Sequence, residues 1–353
     1  MRILLRAGEP RWLAPAAVAA AVLVTLLLTA VPIRLAGANP LAAFERYLVT
    51  PFTTLAGFGE VLLTATPLLF TGLAVALAFR VGYFNIGAEG QFLAGTVAAS
   101  IPALYLPNLP PLAALPLALA AGTAGGAAWA FLPAWLKRHA GIDEVVTTLL
   151  LNPVALLLVQ GLLNGPWRNS RTGFPDSDRF GAGYDLPRLI DGSRVHAGLI
   201  IAVLLVIVTW IVMAATPLGL RVRAAGLSPD AARFSGIRVS SLQWWFALAS
   251  GAIAGLGGAS QVLGVQHQLT ATVSNGYGYT GIVVATLGAL AAGGVLLTAL
   301  LLGTIAVGAQ NASIVLHLPP QMGTIVSSTL LLTVVGFLAA RRYRLVFPRR
   351  GAQ

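Results

Sequence analysis

The chain has 353 residues, 57% of them hydrophobic and 9% charged, with a mean hydropathy of +0.83 and a formal net charge of +11. This composition excludes a water-soluble globular domain: a charge at a bilayer centre costs about 2.5 to 3.5 kcal/mol on insertion scales, and a membrane chain therefore keeps its few charges in loops. The basic residues are spread over span ends, which sets nucleic acid aside, and the lack of cysteine removes disulfides, thiolate metal sites and cysteine nucleophiles together.

Apolar windows near the length needed to cross a core of about 30 Å fall at 13-33, 61-79, 86-106, 112-135, 145-163, 197-215, 242-263, 281-292, 294-310 and 323-340. They predict an all-α polytopic bundle of about ten transmembrane helices in one domain over 1-353, with 281-292 too short to span unaided. The first window has a basic flank, Arg2, Arg6 and Arg11, and no small-residue cleavage site, so it reads as an uncleaved span. The segment 39-60 is half apolar, with Phe44, Tyr47, Phe52 and Phe58, and reads as interfacial or re-entrant.

Asn85, Glu89 and Gln91 then stand at the start of a span, in Phe84-Asn-Ile-Gly-Ala-Glu-Gly-Gln91. Asn85 and Glu89 are four apart and share a face if the helix has begun. Intramembrane acids point to function, here a translocation-path or gating element without direct solute contact; the structural alternative is an interfacial cap binding nearby amides or an arginine. Asp143 and Glu144 open the next span, where acids favour the positive helix end. Asn152-Pro153 interrupts it, for packing or for passage.

The outer loop 164-196 is rich in Gly, Pro, Asp and Arg, an ordered loop or docking surface too short for its own core. The segment 216-240 is a basic island. Ser228 can accept a hydrogen bond from a free amide, Pro229 suits the first helical position, Asp230 favours the positive end and Gly236 can terminate at positive φ, so a two-turn helix is expected from Pro229 to Ser235. Arg221, Arg223, Arg233 and Arg238 hold the island on the cytoplasmic face, and Gly226 and Phe234 complete its surface.

Gln261, Gln266, His267, Asn275, Tyr277 and Tyr279 gather at an outer mouth, to recognise a polar, ring-bearing solute or simply as a wet interfacial loop. Gly276-Tyr-Gly-Tyr-Thr-Gly281 echoes Gly82-Tyr-Phe-Asn-Ile-Gly87 on the opposite side, the arrangement of an inverted repeat with broken helices. With the N-terminus inside, Arg2, Arg6, Arg11, Arg80, Lys137, Arg138, the island arginines, Arg341, Arg342, Arg344, Arg349 and Arg350 face the cytoplasm against only Glu9, Asp143, Glu144 and Asp230. The positive-inside rule supports this register and puts both termini in the cytoplasm.

Lys137 is the only lysine, so no Gly-x-x-x-x-Gly-Lys-Ser/Thr phosphate loop exists; a His-Glu-x-x-His metal helix and a Gly-x-Ser-x-Gly elbow are also absent. Glu89 alone is a thin supply of ionisable groups for an ion-coupled carrier.

The motifs Phe84 to Gln91, Asp143-Glu-Val-Val-Thr-Thr-Leu-Leu-Leu-Asn152, the island with its Thr-x-x-Gly-x-x-x-Arg-Ala-x-Gly pattern, and Gly276 to Ile282 occur in this order. Together they resemble ABC-importer permeases of the branched-chain amino acid, simple-sugar and nucleoside group, over about residues 40 to 340. The Asn-Ile-Gly-Ala-Glu-Gly-Gln form is similar to the nucleoside branch that works with a BMP-type lipoprotein; sugar-type permeases more often show an Asp-Leu-Ser-x-Gly form. The resemblance implies a permease of a bacterial inner membrane, paired with a second related permease, a cytoplasmic ATPase and an extracytoplasmic solute-binding lipoprotein. ATP and magnesium would sit on the partner ATPase, with no cofactor and no metal on this chain. Nucleosides are the leading solute and ribose-type sugars the alternative. The island, Arg221, Arg223, Gly226, Ser228, Pro229, Asp230, Arg233, Phe234 and Gly236, would couple to the ATPase. Asn85, Glu89, Gln91, Asn152, Gln261, Tyr277 and Tyr279 would line the path.

Overall fold

The sequence supplies far more apolar surface than its loops can cover, and the computed structural model resolves it into long helices. Residues 2–5, 13–190, 192–340 and 343–346 are described; Arg6, Glu9, Arg11, Asp191, Arg341, Arg342, Arg349 and Arg350 of the charge pattern lie outside the described residues. In chain order the elements are β1 (Arg2–Leu5), α1 (Leu13–Leu35), α2 (Pro40–Leu48), α3 (Leu55–Arg80), α4 (Ala88–Tyr105), α5 (Pro111–Ala140), α6 (Glu144–Asn164), α7 (Gly198–Ala215), α8 (Pro217–Leu227), α9 (Pro229–Phe234), α10 (Val239–Gln261), α11 (Tyr277–Leu287), α12 (Ala292–Leu316), α13 (Met322–Ala340) and β2 (Tyr343–Val346).

Every apolar window coincides with a helix, but fewer than ten of these helices are by themselves long and apolar enough to cross a membrane. Among the described residues, α3, α5, α6, α7, α10 with its C-terminal extension, and α12 are long and apolar enough to cross a membrane, and a seventh span is reached if the bent pair α1 and α2 is one. The bundle is all-α, as expected, and one short antiparallel ribbon accompanies it, in which β1 pairs with β2 from Arg2↔Val346 to Leu5↔Tyr343.

The chain divides into two units. The first comprises Met1–Gly57 and Thr304–Gln353. Here α1 lies on α13, with Thr25 and Thr333 hydroxyls 2.7 Å apart, and Asn39 caps α2 by accepting from the Leu41 amide at 3.0 Å. The turn at Asn39 bends α2 by 119° from α1, which fits the re-entrant or interfacial reading of 39-60.

The second unit, Phe58–Gly303, holds the functional residues. α3 is its inner helix: 89% of its apolar window is buried, against 22% for those of α5, α6 and α7, which turn most of their surface outward. Inside lipid there is little hydrophobic drive between helices, so close backbone approach supplies the contact. Gly95, Gly126, Gly251 and Gly255 form such a seam between α4, α5 and α10; a Cβ on Gly126 would stand 2.6 Å from the Gly255 Cα. The expected interruption at Asn152-Pro153 does not occur, since α6 runs unbroken through Pro153. A proline ring removes a single intrahelical bond, and the rest of a 21-residue helix carries on.

Candidate functional site

The Gly82–Gln91 segment is not helical before Ala88, so its backbone groups need partners from elsewhere in the bundle. One stripe of α6 provides them. Glu144, Thr148 and Asn152 recur every four residues and so stand on one face. Glu144 Oε1 accepts from the Phe84 amide at 3.2 Å and also pairs with Lys137; Thr148 Oγ1 accepts from the Ile86 amide at 3.2 Å. Asn152 accepts from the Gly90 amide at 2.9 Å and donates to the Ile86 carbonyl at 3.0 Å. Asp143, by contrast, does what its position predicts, capping α6 by accepting from the Val145 amide at 2.7 Å.

Asn85 lies before the helix, so it does not share a face with Glu89. Its Oδ1 accepts from the Gly87 amide at 2.9 Å, and it exchanges bonds with Gln91 at 2.8 and 3.1 Å. It also donates to Ser250 of α10, which donates in turn to the Ala74 carbonyl of α3 at 2.6 Å. Asn85, Gln91 and Asn152 are each no more than 1% exposed. Three helices are thereby tied to one short loop.

Glu89 faces the other way, toward the second Gly-Tyr motif. Its carboxylate accepts from the Ser274 hydroxyl and, at 2.7 Å, from the Gly278 amide. The N-termini of α4 and α11 therefore meet, and the two motifs assigned to opposite sides touch. Only glycine fits at 278, because a Cβ there would overlap the Glu89 backbone. Tyr277 packs its ring 6.0 Å from Phe92, its carbonyl accepts from Thr71 of α3 at 3.0 Å, and Tyr279 is 45% exposed. Gln261 is buried at the end of α10, outside the Asn85–Gln91 network.

Below the loop lies the island. α9 runs Pro229–Phe234, capped by Ser228, with Gly236 at φ 81° and an Asp230–Arg233 pair at 2.7 Å, as its capping residues predict. A further helix, α8, precedes it; Thr216-Pro217 carries the same cap-and-proline signature that marked α9 and could have located it. Phe234 is 96% exposed, whereas Ala232 is packed inward and is not part of an outward apolar face. Gly226 of α8 abuts the Arg80 carbonyl, where a Cβ would overlap, and Gln243 donates to the Gly82 carbonyl at 3.0 Å. Tyr83 sits in the same apolar cluster as Val222, Ala225 and Ala232. Contacts thus run without a gap from the exposed Phe234 helix to the Gly82–Gln91 loop. Arg223 donates to Gly219 within α8 at 3.4 Å, and Arg221 and Arg238 line a cleft of about 390 Å³ with Trp245.

Residues 164–190 and 192–196 bond to the segment that follows α10 and to the end of α4. Ser177 donates to the Leu269 carbonyl and Phe180 to the His267 carbonyl, both at 2.9 Å; the buried Tyr184 hydroxyl bonds the Pro102 carbonyl at 2.8 Å. Asp176 pairs with Gln268 at 3.0 Å and Arg194 with Glu60 at 2.6 Å. The loop and Gln266 to Tyr279 form one mouth. Burial, with His267 as a smaller contributor, pushes the His196 imidazole down to about 4, so it is neutral there and its Nδ1 accepts from the Gly198 amide. Among the described residues no group of three His, Asp or Glu could hold a metal ion.

A family profile described as branched-chain amino acid transport system / permease component matches residues 57–335. The glucose ABC transporter permease protein TsgB13 of Haloferax volcanii is 36% identical over 98% of this chain and 94% of its own. The guanosine ABC transporter permease protein NupP of Bacillus subtilis is 34% identical, covering 83% and 85%. The nucleoside ABC transporter permease protein NupB of Lactococcus lactis is 30% identical, covering 88% of each. The Bacillus guanosine system and the Lactococcus nucleoside system each match through two permease proteins.

Proposed function

We propose that this chain, which belongs to the family of branched-chain amino acid transport system permease components, forms the solute path for nucleosides in an ATP-driven importer. It is a multi-pass ABC permease, a transport subunit and not an enzyme. The observation that carries the mechanism is the run of contacts from α9, through Ala232 and Tyr83, Gly226 and Gln243, to the Asn85–Gln91 segment, and on through Glu89 to α11. A push on α9 from the cytoplasm is delivered to the place where two helix N-termini meet. Such a junction of short helix ends is where membrane transporters commonly shape a solute site, because positive helix ends and free backbone groups face inward there.

In this reading all ten apolar helices lie in the membrane, α4 and α11 serve as half-helices, and both termini are cytoplasmic. Pairing of β1 with β2 supports the last point, since it holds the two ends of the chain on one side. A cytoplasmic ATPase docks on α9 and carries ATP and magnesium; a second related permease completes the path; a solute-binding lipoprotein docks on the outer mouth. Asn85, Gln91 and Asn152 hold the junction's shape. Nucleosides are favoured because two of the relatives named are a guanosine and a nucleoside permease, and the sequence has the nucleoside-type form of the Asn85–Gln91 motif. The glucose permease relative supports a sugar as the second reading. Uptake of labelled guanosine and, in parallel, of labelled glucose, ribose and leucine into proteoliposomes holding the purified complex tests the choice: ATP-driven uptake of glucose with none of guanosine would overturn it.

A further inference from the structure

A second cleft opens beside α9, on the cytoplasmic side of the Tyr83 loop. It encloses about 190 Å³ and is lined by Tyr83, Lys137, Arg138, Arg233, Gln243 and Trp244, with Ala134 and Ser240 closing it. Lys137 is paired with Glu144 and Arg233 with Asp230, so two of the three cations are neutralised. Arg138 lies over the Trp244 ring at 5.4 Å and has no acidic partner among the described residues. The partial charges of the two adjoining helix ends, the C-terminus of α5 and the N-terminus of α10, are opposite in sign and about equal, each roughly half a charge, so they leave this balance in place. The cleft holds one uncompensated positive charge.

It also holds an orphan donor. Tyr83 is 2% exposed and its hydroxyl, buried in the wall of the cleft, has no hydrogen-bond partner among the described residues. A buried hydroxyl without a partner costs about 1–3 kcal/mol. Burial first and Glu144 second hold Tyr83 well above its usual range, so the hydroxyl keeps its proton and can donate. One positive charge and one free donor at a common cavity are what a single carboxylate requires.

We infer that this cleft receives one aspartate or glutamate side chain of the cytoplasmic ATPase, bound by Arg138 and the Tyr83 hydroxyl. The inference rests on the reading of α9 as the docking helix, and Arg233 of α9 forms part of the rim. The volume suits a carboxylate with a few waters. Tyr83 adjoins Gly82, whose carbonyl is held by Gln243, and Lys137 stands 5.2 Å over its ring. A carboxylate entering the cleft therefore touches the loop that carries Asn85 and Glu89, giving the partner a direct hold on the junction beyond contact with Phe234.

The test measures the Kd of the ATPase subunit, separated from the purified complex, for the permease in nanodiscs of purely zwitterionic lipid. Tyr83→Phe deletes only the hydroxyl and Arg138→Gln only the charge; each is expected to weaken binding about tenfold, and Arg138→Gln also flattens the dependence of Kd on salt. Arg138 is peripheral enough to report even if Tyr83→Phe disturbs folding. Loss of binding in Phe234→Asp alone, with both cleft variants unchanged, would overturn the cleft and leave the docking helix standing. Weakening by the cleft variants with Phe234→Asp binding normally would keep the cleft and refute α9 docking through Phe234. The measurement is repeated in nanodiscs containing anionic lipid, and an effect of the cleft variants confined to those would assign the cleft to a lipid phosphate and overturn the proposal.

Discussion

Replacing Glu89 probes the junction most directly. Its carboxylate offers one oxygen to the Ser274 hydroxyl and the other to the Gly278 amide, 185 and 189 residues away in sequence. Glutamine keeps the shape and a single acceptor. Hydrogen bonds to a charged group contribute about 1.5–3 kcal/mol and neutral ones about 0.5–1.5, and bonds measured inside a membrane bundle average lower, near 0.6. Glu89→Gln should therefore cost about 1–3 kcal/mol. Glu89→Ala leaves two donors facing a dry interior at about 1–3 kcal/mol each, roughly twice as much. At about 2.1 cal/mol/K of unfolding entropy per residue, 1 kcal/mol moves the midpoint of a 353-residue chain by about 1.4 °C, so the glutamine variant should melt about 1–4 °C below wild type and the alanine variant lower still. ATP-driven uptake in proteoliposomes should follow the same order, with partial activity in Glu89→Gln. Both oxygens are engaged by donors that belong to the fold, so import should persist when a protonophore collapses the proton gradient at constant ATP. An alanine variant matching wild type in midpoint and uptake would refute the junction, and loss of wild-type uptake on adding the protonophore would make Glu89 a proton carrier instead.

Phe234→Asp should uncouple the system: the side chain is almost wholly exposed, so the fold survives, while ATP hydrolysis should no longer respond to loaded binding protein. Normal import by that variant would rule out α9 as the coupling contact. Reversing to glutamate Arg168 and Arg171 of the 164-196 loop, where Arg168 donates to the Gly173 carbonyl at 2.6 Å, should slow uptake most at low ionic strength, because charges at a docking surface steer encounter and salt screens them; an equal effect at all salt concentrations would refute a steering role. His196 gives a pH signature. Its folded value near 4 lies below the ordinary 6.5, so between these the unfolded chain binds the extra proton and stability falls as pH drops from about 6.5 to 4. The unfolding midpoint should decline over that window in wild type and decline less in His196→Gln; parallel curves would show that another group is responsible.

Hydropathy located the ten apolar helices, because burying apolar side chains in lipid is a local property of each window. The bounds of α9 were legible for the same reason: Ser228, Pro229 and Gly236 act on backbone groups within a turn of themselves. α8 carried an equally local signal in Thr216-Pro217. The site was legible only as a set of residue types in unfavourable places. That Glu144, Thr148 and Asn152 clasp the backbone from Phe84 to Gly90, that Asn85 pairs with Gln91 and Ser250 and not along a helix face with Glu89, and that Glu89 closes on Gly278 are decisions of the tertiary structure. Each joins groups that no sequence period brings together. An extended loop in a dry bundle must find its hydrogen-bond partners wherever packing delivers them, and which helix delivers them depends on how glycine faces such as Gly95, Gly126 and Gly255 let the helices close.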